Sequence, residues 1–459
     1  MKQKRIACLV LSAIGATTAG SAFASGFQLL EQSAAGLGSA FAGSGVVTDD
    51  PSVGFFNPAS MPFMAQRNQI SAGVVMIKPN MKFENGNSSA PPGITNVGGD
   101  VGDAAPWAGV PNVHASYAIN DQISIGFSGG GPFGLRTNYD PEWRGRFLAD
   151  KSDLKAKNFN PSIAYRFNDM VSVGAGVSYQ TFDAELTQAV NFSAAMCANP
   201  SVAALCGAGL LNNNEGFSSV KGSSNAWGWN MGVTLQLSQS TRVGASYRSA
   251  IKHHLTGDAT FYYPNVTLPS AVPGGSVIAG GLNQAIRAGL PSGPISVDVK
   301  LPETWIISTF QQLDEKWTLQ GDISWTGWSS LQSLDIYRSN GALLSSTPYN
   351  WRDTWRIALG GSYKLNDSWK LRAGIAFDQS PVTDDNRHAR LPDNNRKWLS
   401  IGARWQATHA IALDAGYAHL FMSKTPINET TGVDSGAGTL VGEYTGSVDI
   451  VGLQVSYAF

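Results

Sequence analysis

The last nine residues of the chain alternate between large apolar side chains and small or polar ones. One set is Val451, Leu453, Val455, Tyr457 and Phe459, and the residues between them are glycine, glutamine, serine and alanine. Successive side chains of a β-strand point to opposite faces. A strand that is apolar on one face only is typical of a barrel wall between lipid and a wet lumen. The pattern predicts a bacterial outer-membrane β-barrel, with Phe459 ending its last strand.

The start of the chain predicts export. Lys2, Lys4 and Arg5 precede a mostly apolar run at 6–16, and residues 22–24 form a small-x-small cleavage pattern. Residues 1–24 therefore read as a signal peptide, with the mature chain beginning at Ser25. No other stretch reaches the roughly 18 apolar residues of a transmembrane helix. An uncleaved inner-membrane anchor is the alternative.

Net charge and cysteine content bear on the partners of the protein and on the state of its cysteines. The formal net charge is −1, so no electrostatic argument favours nucleic acid. Cys197 and Cys206 remain after the signal peptide is removed, and in an oxidising compartment they predict a loop disulfide. No metal site or cofactor is expected, because no histidine or further cysteine lies near this pair.

Period-two alternation over residues 66–459 predicts about fourteen strands. A sandwich or propeller would also contain many strands, but the connections here switch regularly between tight and long. Tight turns fall near 120, 168, 239, 315, 366 and 408, and long segments lie at 84–108, 133–153, 191–225, 258–295, 337–353, 380–395 and 422–445. Short turns at one end and long loops at the other are expected of an outer-membrane barrel with an even strand number.

Residues 25–65 show no strand alternation before the first strand, predicted at 68–82. They mix small residues with leucine and phenylalanine, which favours short packed helices. Because a fourteen-stranded barrel encloses more space than its own side chains fill, we expect this segment to form a plug, or hatch, in the lumen.

Several pieces of the mature chain resemble the FadL family of outer-membrane transporters of hydrophobic compounds. They include residues 26–29, 36–38, 40–43, 49–50, 57–59, 301–305, 356–360, 374–382, 386–387, 391–393 and 398–400. The resemblance implies a monomeric fourteen-stranded barrel with an N-terminal hatch. It also implies inward passage of long-chain fatty acids or other hydrophobic molecules, in contact with outer-membrane lipid and lipopolysaccharide.

The two longest connections carry apolar residues that could capture such molecules. These are Phe192, Leu205, Leu210 and Leu211 in the first, and Ile278, Leu282 and Ile286 in the second. Exposed apolar patches usually mark binding sites, and the resemblance implies a groove for a first, weak encounter. The alternative is that these residues pack on each other and cap the barrel.

A glycine-rich stretch predicts an interruption of the wall. Ser128, Gly129, Gly130, Gly131 and Pro132 follow the third predicted strand, 123–128. Glycines supply no side chains and Pro132 no backbone donor, so strand pairing should break here. The resemblance implies a gap for lateral release into the membrane. Otherwise the glycines only begin an extracellular loop.

Phe27, Asn57, Pro58 and Ala59 are the candidate gating residues. The resemblance places the counterpart of Phe27 in the ligand pocket and makes 57–59 a hatch motif. Pro58 fixes its φ angle and the Asn57 amide can bind neighbouring backbone, so a purely structural turn is the alternative. Ligand binding would displace the N-terminus of the hatch.

A fatty-acid carboxylate would need a basic partner in a buried pocket. Arg352 matches a basic position of the family, and Arg248 and Lys252 are further candidates, although each could be a solvated lumen charge. Where the family carries another basic residue, this chain has Thr181-Phe182-Asp183-Ala184-Glu185. That difference leaves room for a neutral substrate, and a monoaromatic hydrocarbon carrier is the main alternative.

Other function classes are less well supported by the sequence. Residues 126–130 formally match the G-x-S-x-G nucleophile pattern, which requires a strand, a sharp turn and a helix, with histidine and acid partners. Gly131 and Pro132 follow instead, so an outer-membrane lipid hydrolase is a remote alternative. A nonspecific porin or an adhesin is disfavoured by the hatch segment. We expect a transporter rather than an enzyme.

Overall fold

The computed structural model describes residues 26–100, 104–430 and 436–459. The predicted signal peptide and Ser25 lie outside the described residues.

The described residues form one closed antiparallel barrel of fourteen wall strands, and this confirms the predicted fold class and strand number. The strands are β1 (Gln69–Asn85), β2 (Ala108–Ala118), β3 (Ile123–Gly130 and Gly134–Asn138), β4 (Lys151–Arg166), β5 (Val171–Asn191), β6 (Glu215–Gln236), β7 (Thr241–Arg248 and Ile251–Tyr262), β8 (Gly293–Leu301 and Thr304–Gln312), β9 (Trp317–Thr326 and Ser333–Arg338), β10 (Leu343–Pro348 and Thr354–Lys364), β11 (Trp369–Asp378), β12 (Arg396–Gln406), β13 (Ile411–Met422 and Thr425–Glu429) and β14 (Leu440–Ala458). β14 pairs with β1 from Ala458↔Gln69 to Gly442↔Asn85, which closes the barrel.

The alternation read from the sequence separates the two faces of the wall. Leu453 on the outer face is 60% exposed, whereas its neighbour Gln454 on the inner face is 4% exposed. Outward aromatic residues form two belts, as expected at the two membrane interfaces. Trp305, Trp325 and Trp355 are register partners in the upper belt, and paired residues such as Trp369 and Trp405 form the lower one.

The six tight turns join the strands at the lower, periplasmic end, as predicted. Several predicted loops are partly wrong, because strands extend into them: 133–153 contains Gly134–Asn138 and 422–445 contains Thr425–Glu429. Segment 337–353 contains the first part of β10, Leu343–Pro348, which pairs with the end of β9. This hairpin projects above the membrane, and its exposed residues carry little apolar alternation.

The N-terminal segment, residues 26–65, packs against the inner faces of the strands. It contains α1 (Ala34–Leu37), α2 (Val53–Phe56) and a 3-10 helix, Pro58–Phe63. The packing is close because facing positions are glycines: a Cβ atom on Gly38 would lie 2.9 Å from the Cα atom of Gly402.

The extracellular connections contain the remaining helices of the described residues. These are α3 (Phe192–Cys197), α4 (Ala203–Gly207) and α5 (Gly275–Gly289), with 3-10 turns at Pro200–Val202 and Asp384–Asn386. A further 3-10 turn, Trp328–Ser330, lies between the two parts of β9. No helix in the described ranges has the length and apolarity needed to cross a membrane.

Candidate functional site

An apolar cavity lies in the upper half of the barrel. We call it the upper cavity. Its lining includes Leu154, Phe182, Leu255, Val297 and Ile336 from the wall and Phe27 from the N-terminal segment. Such a lining suits an alkyl chain or an aromatic ring.

Arg390 is the one charged residue among those that line the upper cavity. Its guanidinium donates to the Thr187 carbonyl at 3.3 Å and to the Gln188 side chain. Within the described residues it has no acidic partner inside 4 Å. Burial lowers the pKa of Arg390, but a guanidinium remains charged. The sequence analysis missed this residue because it lies in a loop, where no periodic pattern indicates which side chains point inward.

Arg390 also lines a wider and more polar vestibule among the extracellular loops. The vestibule and the upper cavity share Leu186, Val220 and Ile336 as well. Arg390 therefore marks the junction between the outside and the apolar interior.

An aromatic cluster of Phe27, Phe133, Trp328 and Trp351 forms the lower end of the upper cavity. The ring of Phe27 lies 4.9 Å from Trp328, 5.8 Å from Trp351 and 6.0 Å from Phe133. Phe27 and Trp351 line the upper cavity, whereas Phe133 lines a second cavity below. The first residues of the N-terminal segment thus separate the two cavities.

The second cavity, which we call the lower cavity, has a mixed polar and apolar lining. It is bounded by Gln28, Leu29 and Leu30 of the N-terminal segment, by Pro132 and Phe133 of β3, and by wall residues that include Arg248 and Arg356. A route from the upper cavity to the interruption in β3 therefore leads through this space.

The first part of the N-terminal segment, which we call the limb (residues 26–32), is held by hydrogen bonds to the wall and to an extracellular loop, with no ion pair among the described residues. The Gly26 N–H donates to Asp393 at 3.0 Å. The Leu29 N–H donates to the Pro132 carbonyl at 2.7 Å, and the Gly134 N–H donates to the Phe27 carbonyl at 2.8 Å. The limb is therefore bonded directly to the interrupted strand.

The rest of the segment, the body (residues 33–65), is anchored by ion pairs as well as by hydrogen bonds. Asp49 binds Lys370 at 2.8 Å and Arg372 at 2.9 Å. Burial alone would raise the pKa of Asp49, but Lys370 and Arg372 lower it well below its ordinary range. The Asn57 amide donates to the Val233 carbonyl at 3.2 Å and accepts from the Ala59 N–H at 3.1 Å. The candidate motif 57–59 thus lies in the anchored body, not in the limb.

The ladder between β2 and β3 ends at the glycine-rich stretch, residues 129–131. β2 and β3 pair from Ala118↔Ser124 to Val113↔Gly129. Above that point, residues 108–112 of β2 have no ladder partner on β3 in the described part of the chain. Gly130 faces the lumen instead, and a Cβ atom there would lie 2.3 Å from the Gln32 side chain. Pro111, which lacks a backbone N–H, is compatible with such an edge.

Two exposed aromatic residues in and just before β2 show where along this strand the pairing with β3 ends. Tyr117 belongs to the lower belt and Trp107 lies at the upper level, and both are about half exposed. Asn112, the first unpaired residue of β2, is midway between them in sequence. The unpaired part of β2 thus begins about midway between these two exposed aromatic residues.

Ser128 of the formal nucleophile pattern has a structural partner. Its hydroxyl lies 3.0 Å from Nδ1 of His114, and Nε2 of His114 lies 2.8 Å from the Gln32 carbonyl. The third member of this arrangement is a backbone carbonyl and not the carboxylate that a catalytic triad requires. The contacts join β2, β3 and the limb.

Two of the three predicted carboxylate partners lie away from both cavities, and these predictions are corrected here. Arg352 is exposed and donates to the Ser380 carbonyl at 3.3 Å. Lys252 points to the outer face, 3.6 Å from Asp298, because it alternates with the inward His253. Arg248 does line the lower cavity. Among the described residues no cluster of histidine, cysteine and acidic side chains could hold a metal ion.

The predicted capture residues mostly form an inter-loop core. Phe192, Leu211, Leu282 and Ile286 are buried against each other, and Leu205 and Ile278 pack at the edge of this cluster. Leu210 is half-buried. Cys197 and Cys206 are joined by a disulfide, with 5.9 Å between their Cα atoms. The most apolar of these residues therefore pack on each other, and this burial removes them from water.

Comparison with known proteins decides the family. Residues 15–459 match the family model described as outer membrane protein transport protein (OMPP1/FadL/TodX). The chain belongs to this family. A long-chain fatty acid transport protein of Salmonella typhi is 32% identical over 451 residues, 95% of each chain.

Solved structures show the same barrel. A FadL homologue of Pseudomonas aeruginosa superposes with a TM-score of 0.82 at 26% identity, covering 94% of this chain and 99% of the other. The toluene transporter TbuX of Ralstonia pickettii gives 0.61 at 18% identity, covering 92% and 99%, and supports the fold alone. The chain is thus an outer-membrane β-barrel whose relatives are transporters and channels rather than enzymes.

Glu31 in the limb is an unusual buried acid. It is fully buried, and neither oxygen of its carboxyl group has a hydrogen-bond partner in another described residue. Burial raises the pKa of Glu31 to about 7, partly offset by the nearby positive charge of Arg396. The pKa of a solvated glutamate is 4.5. At a pH between 4.5 and about 7, detaching the limb would therefore expose Glu31 to water and release its proton.

We therefore expect limb detachment to become easier as pH rises from 4.5 to 7, with up to about 3 kcal/mol of closed-state stability lost. The measurement is the labelling rate of a cysteine introduced as Gln28→Cys, reacted with an impermeant maleimide. The control carries Glu31→Gln as well, so the ratio of rates cancels the ionisation of the thiol itself. A ratio that stays constant between pH 4.5 and pH 8 would contradict the role of Glu31.

Proposed function

We propose that this protein carries long-chain fatty acids from outside the cell into the outer membrane by passive, ligand-gated diffusion. The observation that carries the proposal is the upper cavity: an apolar enclosure with a single cation, Arg390, at its entrance. An amphipathic acid would place its carboxylate at Arg390 and its alkyl chain among the apolar residues below. A charge-assisted bond to a guanidinium suits a carboxylate.

The limb serves as the gate in this proposal. An alkyl chain long enough to reach the aromatic cluster would compete with Phe27 for the same space. Displacing Phe27 would break the limb's bonds to Asp393, Pro132 and Gly134, while the body stays anchored through Asp49 and Asn57. Ligand binding would thus shift the population toward an open limb.

The interruption between β2 and β3 serves as the exit. It begins about midway between Trp107 and Tyr117 in sequence, faces the lower cavity through Pro132, and is bonded to the limb that moves. A fatty acid leaving here enters lipid directly and need not cross water. Since β1 and β14 close the barrel within one chain, we propose that a monomer, surrounded by lipid and lipopolysaccharide, is sufficient.

A monoaromatic hydrocarbon is the second candidate substrate. Phe182 and not a basic residue lines the cavity in the 181–185 stretch, while Asp183 is exposed on the outer face. The upper cavity therefore offers one cation only, and a neutral ring would fill it without needing Arg390.

Uptake by cells lacking their own transporter of this kind tests the proposal. Radiolabelled oleate and toluene are supplied with and without the protein. The proposal expects protein-dependent oleate uptake. Toluene uptake alone would assign the chain to the hydrocarbon branch and leave Arg390 without a substrate role.

A further inference from the structure

The lower cavity contains a half-buried cation that has no acidic partner among the described residues. The guanidinium of Arg248 on β7 donates to the Phe55 carbonyl at 2.6 Å and to the Ser178 hydroxyl at 3.2 Å. It also lies 4.4 Å from the centre of the Phe55 ring. Within the residues that the structure describes, no carboxylate comes within 4 Å of it.

The other charges of this cavity distinguish Arg248 from Arg356. Asp378 lines the cavity but lies 3.9 Å from Arg396. Arg356 has Asp378, Asp322 and Glu31 as acidic neighbours and donates to the Ala40 carbonyl at 2.6 Å. Arg248 is therefore the cation in the lower cavity with unused capacity for an anion.

Resting on the proposed function, we propose that Arg248 forms a second binding site, which takes the substrate's carboxylate after it leaves Arg390. The lower cavity lies between the aromatic cluster and the wall gap, since both Pro132 and Phe133 line it. An anion that crossed this enclosed space without a partner would lose its solvation at a high cost in free energy. A cation placed there lowers that cost, so the alkyl tail can enter the gap while the head group is still bound.

This site predicts an effect on passage rather than on capture. Replacing Arg248 should slow the uptake of an acid and leave its equilibrium affinity for the upper cavity unchanged. A purely structural role, in which Arg248 only holds the Phe55 carbonyl, would disturb the N-terminal segment for every substrate. The two roles therefore differ in their effect on a neutral molecule.

The test compares Arg248→Gln, Arg248→Lys and the wild type in initial uptake of oleate and toluene, with oleate affinity measured on purified protein. Arg352→Gln is the matched control, because that arginine is exposed and lines neither cavity. We expect Arg248→Gln to lower oleate uptake roughly tenfold or more, with toluene uptake and oleate affinity retained. Arg248→Lys should restore part of the oleate rate.

Three other outcomes would decide against the site. Equal losses for oleate and toluene would assign Arg248 a structural role only. Unchanged oleate uptake by Arg248→Gln would overturn the second site and leave the proposed function standing. A wild-type protein that carries no oleate would contradict the proposed function itself, and the second site with it.

Discussion

Closing the wall gap with a disulfide should reduce uptake to the level of cells that lack the protein. An ideal Cβ atom on Gly131 lies 3.7 Å from Cγ1 of Val110 across the interruption, so the double variant Val110→Cys and Gly131→Cys places two thiols within bonding reach. The bond would hold β2 and β3 together where the ladder is absent. Uptake of oleate and toluene is measured after oxidation and again after reduction, which should restore it.

The matched control is Ala115→Cys with Phe127→Cys. These positions are register partners in the paired part of β2 and β3. A disulfide there joins strands that are already hydrogen-bonded and should not block the proposed exit. Wild-type protein treated with the same reductant corrects for loss of the Cys197–Cys206 bond. Full uptake by the oxidised Val110–Gly131 pair would rule out exit through this gap.

Replacing Arg390 by glutamine should weaken oleate binding selectively. Removing the cation leaves a carboxylate in an apolar enclosure without its charge-assisted bonds, at a cost of about 2 kcal/mol or more, which corresponds to about thirtyfold in affinity. Toluene has no charge to lose and should bind nearly as before. Equilibrium binding of both labelled ligands to purified protein provides the measurement.

Arg352→Gln is again the comparison, because sequence resemblance selected Arg352 and the structure places it outside the cavity. We expect that variant to bind oleate like the wild type. The account of the upper cavity would be wrong if Arg352→Gln lost affinity and Arg390→Gln retained it.

The barrel could be predicted from the sequence because its wall follows one physical rule. Each strand, such as the last one, Leu440–Ala458, places lipid-facing residues at every second position, and the tight turns carry residues that break strands. The interruption after Ser128 was also readable, since glycines and Pro132 cannot maintain a ladder. The position of this break between the two aromatic belts could not be predicted, because it depends on how the strands are aligned in the folded barrel.

The interior could not be predicted to the same extent. Arg390 lies in an irregular loop and reaches the cavity only through the folded path of residues 380–395. Phe192 and Leu282 looked like an exposed surface, but two separate loops bury them against each other, and a single-segment pattern does not contain that contact. Glu31 gave no signal, because its burial arises from strands that follow it by hundreds of residues.

The central claim is that substrate enters through the upper cavity and leaves sideways through the gap. It is tested most directly with a long-chain fatty acid that carries a photoactivatable group at its tail, crosslinked to the protein in cells and located by mass spectrometry. The account predicts labelling of upper-cavity residues such as Leu255 and of gap residues such as Val110 and Phe133. Labelling of the 3-10 helix Pro58–Phe63 at the periplasmic side, with none at the gap, would show passage along the barrel axis and contradict lateral exit.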